Sequence, residues 1–143
     1  MVLKVTLVFA AVAAILNMWL ATRIGRMRVS EKVLHGDGGL PLMMQRMRAQ
    51  ANFVEYTPFV LILAGLIELA RGSMLWLWIA AAAYTIGRLL HGLGMDSDKS
   101  NWMRGAGILL TYVITIALVI WAMWIGYTDG GAMLAPAMEG SSA

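Results

Sequence analysis

Four long apolar stretches, separated by short polar segments, constrain this chain more than any other feature of its sequence. They run from about Val5 to Ala21, Asn52 to Ala70, Met74 to Leu90 and Gly105 to Tyr127. Each is close to the roughly 20 helical residues that cross the hydrocarbon core of a bilayer. Backbone groups in lipid must be paired within their own segment, which favours helices, and no stretch alternates like a transmembrane strand. The pattern predicts an all-α membrane protein, a four-helix bundle with helices at about 3–28, 45–71, 74–94 and 102–127.

The composition excludes the common alternatives. The chain is 60% apolar and 13% charged, whereas a soluble domain is about 25% charged and a disordered one is poor in apolar residues. No cysteine is present, so a disulfide framework and a thiolate metal site are excluded. We expect one membrane domain over 1–129 and a flexible tail over 130–143, which is rich in Gly, Ala and Ser. The first stretch follows Lys4 and also resembles a secretory signal, but we expect a retained helix.

The basic residues predict the orientation. Most lie in the connections between the first and second stretches and between the third and fourth: Arg23, Arg26, Arg28, Lys32, Arg46, Arg48, Arg88, Lys99 and Arg104. Because Lys and Arg concentrate in cytoplasmic loops, both termini are expected on the other side of the membrane. We expect a multi-pass protein of a bacterial inner membrane, surrounded by lipid. The net charge of +3 then reflects topology, and no nucleic-acid partner is expected.

Polar residues inside the apolar stretches indicate where a functional site lies. Arg48, Asn52 and Glu55 are spaced by four and three residues and therefore share one face of a helix. An ionisable side chain inside a membrane is costly and points to function by default. A stripe with a cation, an amide and a carboxylate suits a polar cavity. The alternative is an internal Arg48–Glu55 pair, bridged by Asn52, that only holds the bundle together.

Further polar groups lie toward the same end of the predicted bundle. Tyr84, Arg88 and His91 share one face of the third helix; an Arg88 that snorkels to the interface and a structural His91 are the alternatives. Arg104 follows the start of the fourth helix, where the dipole favours an anion, so an anion site and a cytoplasmic anchor both fit. The loop at His35–Pro41 lacks metal-ligand spacing, and we expect a turn-rich connector and no metal site.

The second stretch carries a resemblance to a known family. The segment Arg48–Pro58 reads RAQANFVEYTP. It resembles the signature of the MAPEG family, membrane-associated proteins in eicosanoid and glutathione metabolism, which include microsomal glutathione transferases and prostaglandin E synthase. In that family an Arg, Asn, Glu and Pro open the second helix at the spacing found here.

The remaining chain is similar to the prostaglandin E synthase branch of the family. Arg88 and His91 resemble the end of its third helix, and Arg104 stands at the position of its catalytic arginine. Met95 and Gly105 depart from the tyrosine and the serine that this branch has there. The resemblance covers nearly the whole chain in helix number, loop order and orientation.

The resemblance implies an activity and a set of site residues. It implies a homotrimer that binds glutathione between neighbouring subunits near the cytoplasmic surface. The activity would be of glutathione transferase or peroxidase type, in which the ionised thiol attacks a hydrophobic electrophile or lipid. The expected catalytic residues are Arg104 and His91. The expected glutathione-binding residues are Arg48, Gln50, Asn52, Glu55, Tyr56, Arg88 and Arg26.

Two alternatives to this activity remain open on the residues alone. One is a non-enzymatic lipid- or glutathione-binding membrane protein of the same fold. The other is a small structural or transporter-like bundle whose polar stripes are internal salt bridges.

Overall fold

Four helices account for almost all of the described chain. The computed structural model describes residues 2–97, 99 and 101–139. The helices are α1 (Lys4–Ser30), α2 (Pro41–Arg71), α3 (Leu75–Gly94) and α4 (Trp102–Glu139), and these residues include no strand. By length and composition α1, α2 and α4 can cross a membrane, and the 20 residues of α3 are about 30 Å long, the thickness of the hydrocarbon core. The prediction of an all-α, multi-pass membrane bundle is confirmed.

The helix bounds differ from the sequence prediction at two places. Helix α2 begins at Pro41, four residues before the predicted 45, because proline is well suited to the first position of a helix. Helix α4 continues to Glu139, so the predicted end at 127 is wrong and the expected tail is helical as far as that residue. After two glycines this segment is mostly Ala, Met and Leu, which are strong helix formers. The last part of the predicted tail, 140–143, lies outside the described residues.

The helices form a bundle with α2 and α3 at its centre. Each of these two packs against all three other helices, whereas α1 and α4 make no contact with each other in the described part of the chain. The apolar core includes an edge-to-face contact between Phe9 of α1 and Tyr84 of α3, with ring centres 5.7 Å apart. The buried Thr57 and Tyr84 hydroxyls are 3.1 Å apart and join α2 to α3. Polar as well as apolar contacts therefore fix how α3 lies on α2.

Glu68 joins the C-terminal part of α2 to the first turn of α1. Its carboxylate accepts hydrogen bonds from the amides of Val5 and Thr6, at 2.9 and 2.8 Å, and from the Thr6 hydroxyl at 2.7 Å. The Ser73 hydroxyl donates to it at 2.5 Å. The first amides of a helix have no partner within the helix, so a buried carboxylate from α2 fills the role of an N-cap. This contact fixes the end of the bundle that carries the N-terminus.

Candidate functional site

A cleft of about 370 Å³ opens at the other end of the bundle, between the first half of α2, the end of α3 and the start of α4. The lining residues are Arg48, Ala51, Asn52, Glu55, His91, Met95, Arg104, Gly105 and Ile108. Five of the nine residues predicted to form the site lie here together, and they come from three helices.

The polar stripe of α2 forms one wall of the cleft. Arg48, Asn52 and Glu55 all line it, as expected from their spacing of four and three. Within the described chain the ion pairs are Arg23–Asp96, Arg46–Asp96 and Arg71–Asp129. Arg48 and Glu55 therefore do not form the internal pair that was the structural alternative, and both charges are available to a ligand.

Arg88 lies behind this wall and not in it. Its side chain is only 1% exposed and its guanidinium donates to Asn52 Oδ1 at 2.8 Å and to Thr111 Oγ1 at 3.3 Å. Its Cζ also lies 5.7 Å from the centre of the Phe53 ring. The expectation that Arg88 contacts glutathione directly is not supported, because its face of α3 is packed against α2 and α4. Arg88 instead orients the Asn52 amide and brings a positive charge close to the cleft.

Close packing between α3 and α4 places His91 and Arg104 at the opposite wall. Glycine makes this packing possible: a Cβ atom at Gly107 would lie 2.6 Å from the Gly87 oxygen and 2.6 Å from the His91 nitrogen. Small residues of this kind let membrane helices approach each other closely. His91 is 6% exposed, while Arg104 is exposed at the cleft.

Asn101 completes the start of α4. Its Oδ1 accepts the Arg104 amide at 2.9 Å, and its Nδ2 donates to the Gly94 oxygen at 3.1 Å. Asn101 is thus an N-cap that also ties α4 to the end of α3. Because the Arg104 amide is already used, this residue presents its guanidinium to an anion and not its main-chain N–H.

Besides Arg88, three of the predicted residues do not line this cleft. Gln50 lies roughly 160° around α2 from Arg48, in a shallow groove that includes Ile24 and Arg28 of α1. Arg26 is exposed on α1, in another groove. The Tyr56 hydroxyl lies 3.2 Å from that of Tyr112 on α4. Within one chain Gln50 and Arg26 therefore lie in other grooves, whereas Tyr56 lies about 40° around α2 from Asn52 and contacts α4.

Some residues that shape the site were not predicted to do so. Thr111 of α4 was not among the predicted site residues, yet its hydroxyl accepts a hydrogen bond from Arg88. Asn101 had a recognisable signal, because asparagine before a helix is a frequent N-cap. Asp96 pairs with two arginines from other helices, and no local spacing in the sequence indicates that contact.

Comparisons with known proteins agree with this architecture. A model of the MAPEG family matches residues 6–124. The chain is similar to inner membrane protein YecN of Escherichia coli strain K12, with 28% identity over 121 residues that cover 84% of this chain and 91% of that protein. YecN of Escherichia coli O6:H1 matches over the same lengths with the same identity. Since the family match covers well over half of the chain, the protein belongs to the MAPEG family.

Proposed function

We propose that the cleft binds glutathione and promotes ionisation of its thiol for attack on a hydrophobic electrophile. The observation that carries this proposal is a set of charges around one cleft that form no ion pair with any other described residue: Arg48 and Arg104 on facing helices, with Glu55 beside Arg48 and Asn52. Glutathione offers two carboxylates, an ammonium group, peptide groups and a thiol. Guanidinium groups bind carboxylates through charge-assisted hydrogen bonds, and a carboxylate binds ammonium in the same way. The cleft therefore offers Arg48 for one carboxylate, Glu55 for the ammonium group and Asn52 for a peptide group, and Arg104 remains for the thiol.

Arg104 is the proposed activator of the thiol. A thiol with a pKa of about 8.5 is only a few per cent ionised at neutral pH, and the thiolate is the nucleophile. Lowering this pKa by about two requires about 2.7 kcal/mol in favour of the anion. A guanidinium about 4 Å from the sulfur supplies about 4 kcal/mol at the effective dielectric constant found near protein surfaces. His91, beside Arg104 on the same wall, is the proposed group for proton handling.

The reaction would transfer the sulfur of glutathione to an electrophilic carbon. The thiol proton leaves to solvent or to His91, and the sulfur electron pair forms the new C–S bond. When the thiolate adds to an activated double bond, the π electron pair moves to the neighbouring atom, which is then protonated; in a substitution, the electron pair of the broken bond departs with the leaving group. A peroxide would be attacked at oxygen by the same thiolate: the O–O bond breaks, the alcohol leaves after protonation, and the sulfur becomes a sulfenic acid. A second glutathione thiol would then displace water from this sulfenic acid and form the disulfide. A hydrophobic acceptor can reach the cleft from the bilayer, because the apolar side chains of Met95 and Ile108 line it and Leu109, next to Ile108 on α4, is exposed.

A homotrimer accounts for the residues that lie outside the cleft. Gln50 and Arg26 line other grooves of the same chain and not the cleft that contains Arg48. If glutathione lies between two subunits, one subunit supplies the cleft and its neighbour supplies these groups. The proposed assembly predicts that Gln50→Ala weakens glutathione binding although Gln50 is remote from the cleft of its own chain. An unchanged affinity would argue against shared sites.

The proposed setting is a bacterial inner membrane with the cleft facing the cytoplasm. The cleft lies at the end of the bundle that carries both basic connections, and Lys and Arg concentrate on the cytoplasmic side. The similar protein YecN is named as an inner membrane protein. Cytoplasmic access would give the site its supply of reduced glutathione.

Titration of glutathione into the detergent-solubilised full chain tests the proposal. A ligand at one hundred times its dissociation constant stabilises the folded state by about 2.7 kcal/mol, so a saturable rise in unfolding temperature is expected. Arg104→Ala should retain binding but lose the ultraviolet absorbance of the thiolate. Arg71→Ala is the matched control, because this arginine lies near the C-terminal end of α2, paired with Asp129, and should leave both signals unchanged.

Three outcomes would each reject a part of this proposal. No stabilisation by millimolar glutathione would reject glutathione as the ligand. A thiolate signal in Arg104→Ala equal to that of the wild type would reject Arg104 as the activator. Binding without any thiolate in the wild type would favour a non-enzymatic binding protein.

A further inference from the structure

Asp96, in the connection between α3 and α4, holds two arginines from other helices. Arg46 of α2 donates from Nε and Nη2 to the two carboxylate oxygens, both at 3.2 Å. Arg23 of α1 pairs with the same carboxylate, donates to the Gly92 oxygen at 3.0 Å and stacks 4.6 Å from the centre of the Trp19 ring. A bidentate arginine–carboxylate pair fixes geometry as well as distance. Asp96 therefore ties this connection to both α1 and α2.

The same connection is coupled to Arg104 through short contacts. Met95, next to Asp96, lines the cleft. The Gly94 carbonyl oxygen accepts a hydrogen bond from the Asn101 side-chain amide. Gly94 also packs so closely against α4 that a Cβ atom at this position would lie 2.5 Å from the Arg104 nitrogen. Asn101 in turn caps the Arg104 amide. A displacement of Asp96 would consequently be transmitted to the first turn of α4.

No ion pair of the described residues crosses the cleft directly. Arg48, Glu55 and Arg104 are absent from the ion pairs of that part of the chain, so they do not hold the two walls at a fixed separation. Arg46, however, lies only two residues before Arg48 on α2. The bidentate Arg46–Asp96 pair thus links the wall that carries Arg48 to the connection that precedes Arg104.

We propose that Asp96 is a positioning residue for Arg104, fixing through Arg46 and Arg23 where the Arg104 guanidinium meets the sulfur of bound glutathione. This inference rests on the proposed function. It predicts a selective effect: glutathione should still bind through Arg48, Asn52 and Glu55, while ionisation of its thiol, which depends on the position of Arg104, should suffer.

The test compares Asp96→Asn with Asp96→Glu in the full chain. For Asp96→Asn we expect the ionisation constant of the bound thiol to fall about tenfold, which raises the thiol's pKa by about one. The dissociation constant for glutathione should change by less than about threefold, a difference below 1 kcal/mol. Asp96→Glu should restore most of the thiolate signal. Asp129→Asn is the matched control, because it removes the Arg71–Asp129 pair near the other end of α2; it should behave as the wild type.

The failures of this inference and of the proposed function are distinguishable. A wild-type chain that binds no glutathione would contradict the proposed function. A wild-type thiolate fraction in saturated Asp96→Asn, with only a lower unfolding temperature, would overturn the positioning role. Hydrogen exchange of the Arg104 amide without ligand gives a second readout. It should be faster in Asp96→Asn, and unchanged exchange would also overturn the proposal. Arg46→Gln, which removes only the bidentate pair, replaces Asp96→Asn if that variant does not fold.

Discussion

Gly107 lies against the backbone of α3, and its replacement by alanine should separate the helices that carry His91 and Arg104. A Cβ atom at this position would lie 2.6 Å from the Gly87 oxygen, 2.6 Å from the His91 nitrogen and 2.7 Å from the His91 Cβ. Ordinary Cβ contacts are at least 3.4 Å, so about 0.8 Å is missing (3.4 − 2.6). Two of the three contacts are backbone atoms that cannot rotate away. Overpacking of this kind costs about 1 to 3 kcal/mol, and it outweighs the gain of up to about 1 kcal/mol from replacing a helical glycine.

Gly126→Ala is the matched control for this prediction. Gly126 lies in the same helix as Gly107, and a Cβ atom at Gly126 would have nothing within 4 Å. The Gly126→Ala substitution should therefore be neutral or stabilise the fold by up to about 1 kcal/mol. Unfolding in mixed micelles with increasing denaturing detergent, followed by helical circular dichroism, gives the free energies of unfolding. We expect Gly107→Ala to fall below the wild type and Gly126→Ala to match or exceed it. Equal stability of the two variants would refute the claim that α3 and α4 are held together at Gly107.

Two other substitutions separate stability from binding. Arg88→Met should change the free energy of unfolding by less than about 2 kcal/mol, because removal of a buried charge is offset by loss of the hydrogen bonds to Asn52 and Thr111. Glutathione affinity should fall about tenfold, about 1.4 kcal/mol, since Asn52 loses the donor that orients it. Unchanged affinity in the same titration would contradict that role. Glu68→Ala should lower stability without affecting binding. The free energy of unfolding should fall by about 3 kcal/mol or more, because three charge-assisted hydrogen bonds to α1 disappear, while glutathione affinity should not change. A loss below about 1 kcal/mol would show that α1 does not depend on this cap.

The composition of the cleft's α2 wall was predictable because it depends on local geometry alone. Residues spaced by three and four lie on one face of any α-helix, so Arg48, Asn52 and Glu55 had to be neighbours once α2 formed. The same rule excludes Gln50 from that face, and applying it to Gln50 as well as to the stripe would have separated the two surfaces. The family motif placed Gln50 in the same site as the stripe, because a sequence motif does not indicate on which helix face, or in which subunit's site, each of its residues acts.

The role of Arg88 could not be predicted from its position in α3. The spacing of three residues placed Arg88 on the same face of α3 as His91. That position was consistent both with direct contact to a ligand and with a side chain that snorkels to the membrane interface. Which side of α3 is buried depends on how α3 packs against α2 and α4, and that packing depends on distant glycines such as Gly107. The Asp96–Arg46 pair joins residues 50 positions apart, so local sequence patterns could not predict it either.

The sequence by itself determined that this chain is a bundle of membrane helices with a polar stripe near one end of α2. Hydrophobic length and helical periodicity are local properties, and lipid forces each apolar segment to satisfy its own backbone hydrogen bonds. Tertiary structure alone decided which charged side chains face the cleft, which lie behind its wall, and which form ion pairs between the helices and the α3–α4 connection. Those outcomes depend on the close approach of α3 to α4 and on pairs between remote residues, because a side chain's environment is set by the helices packed around it.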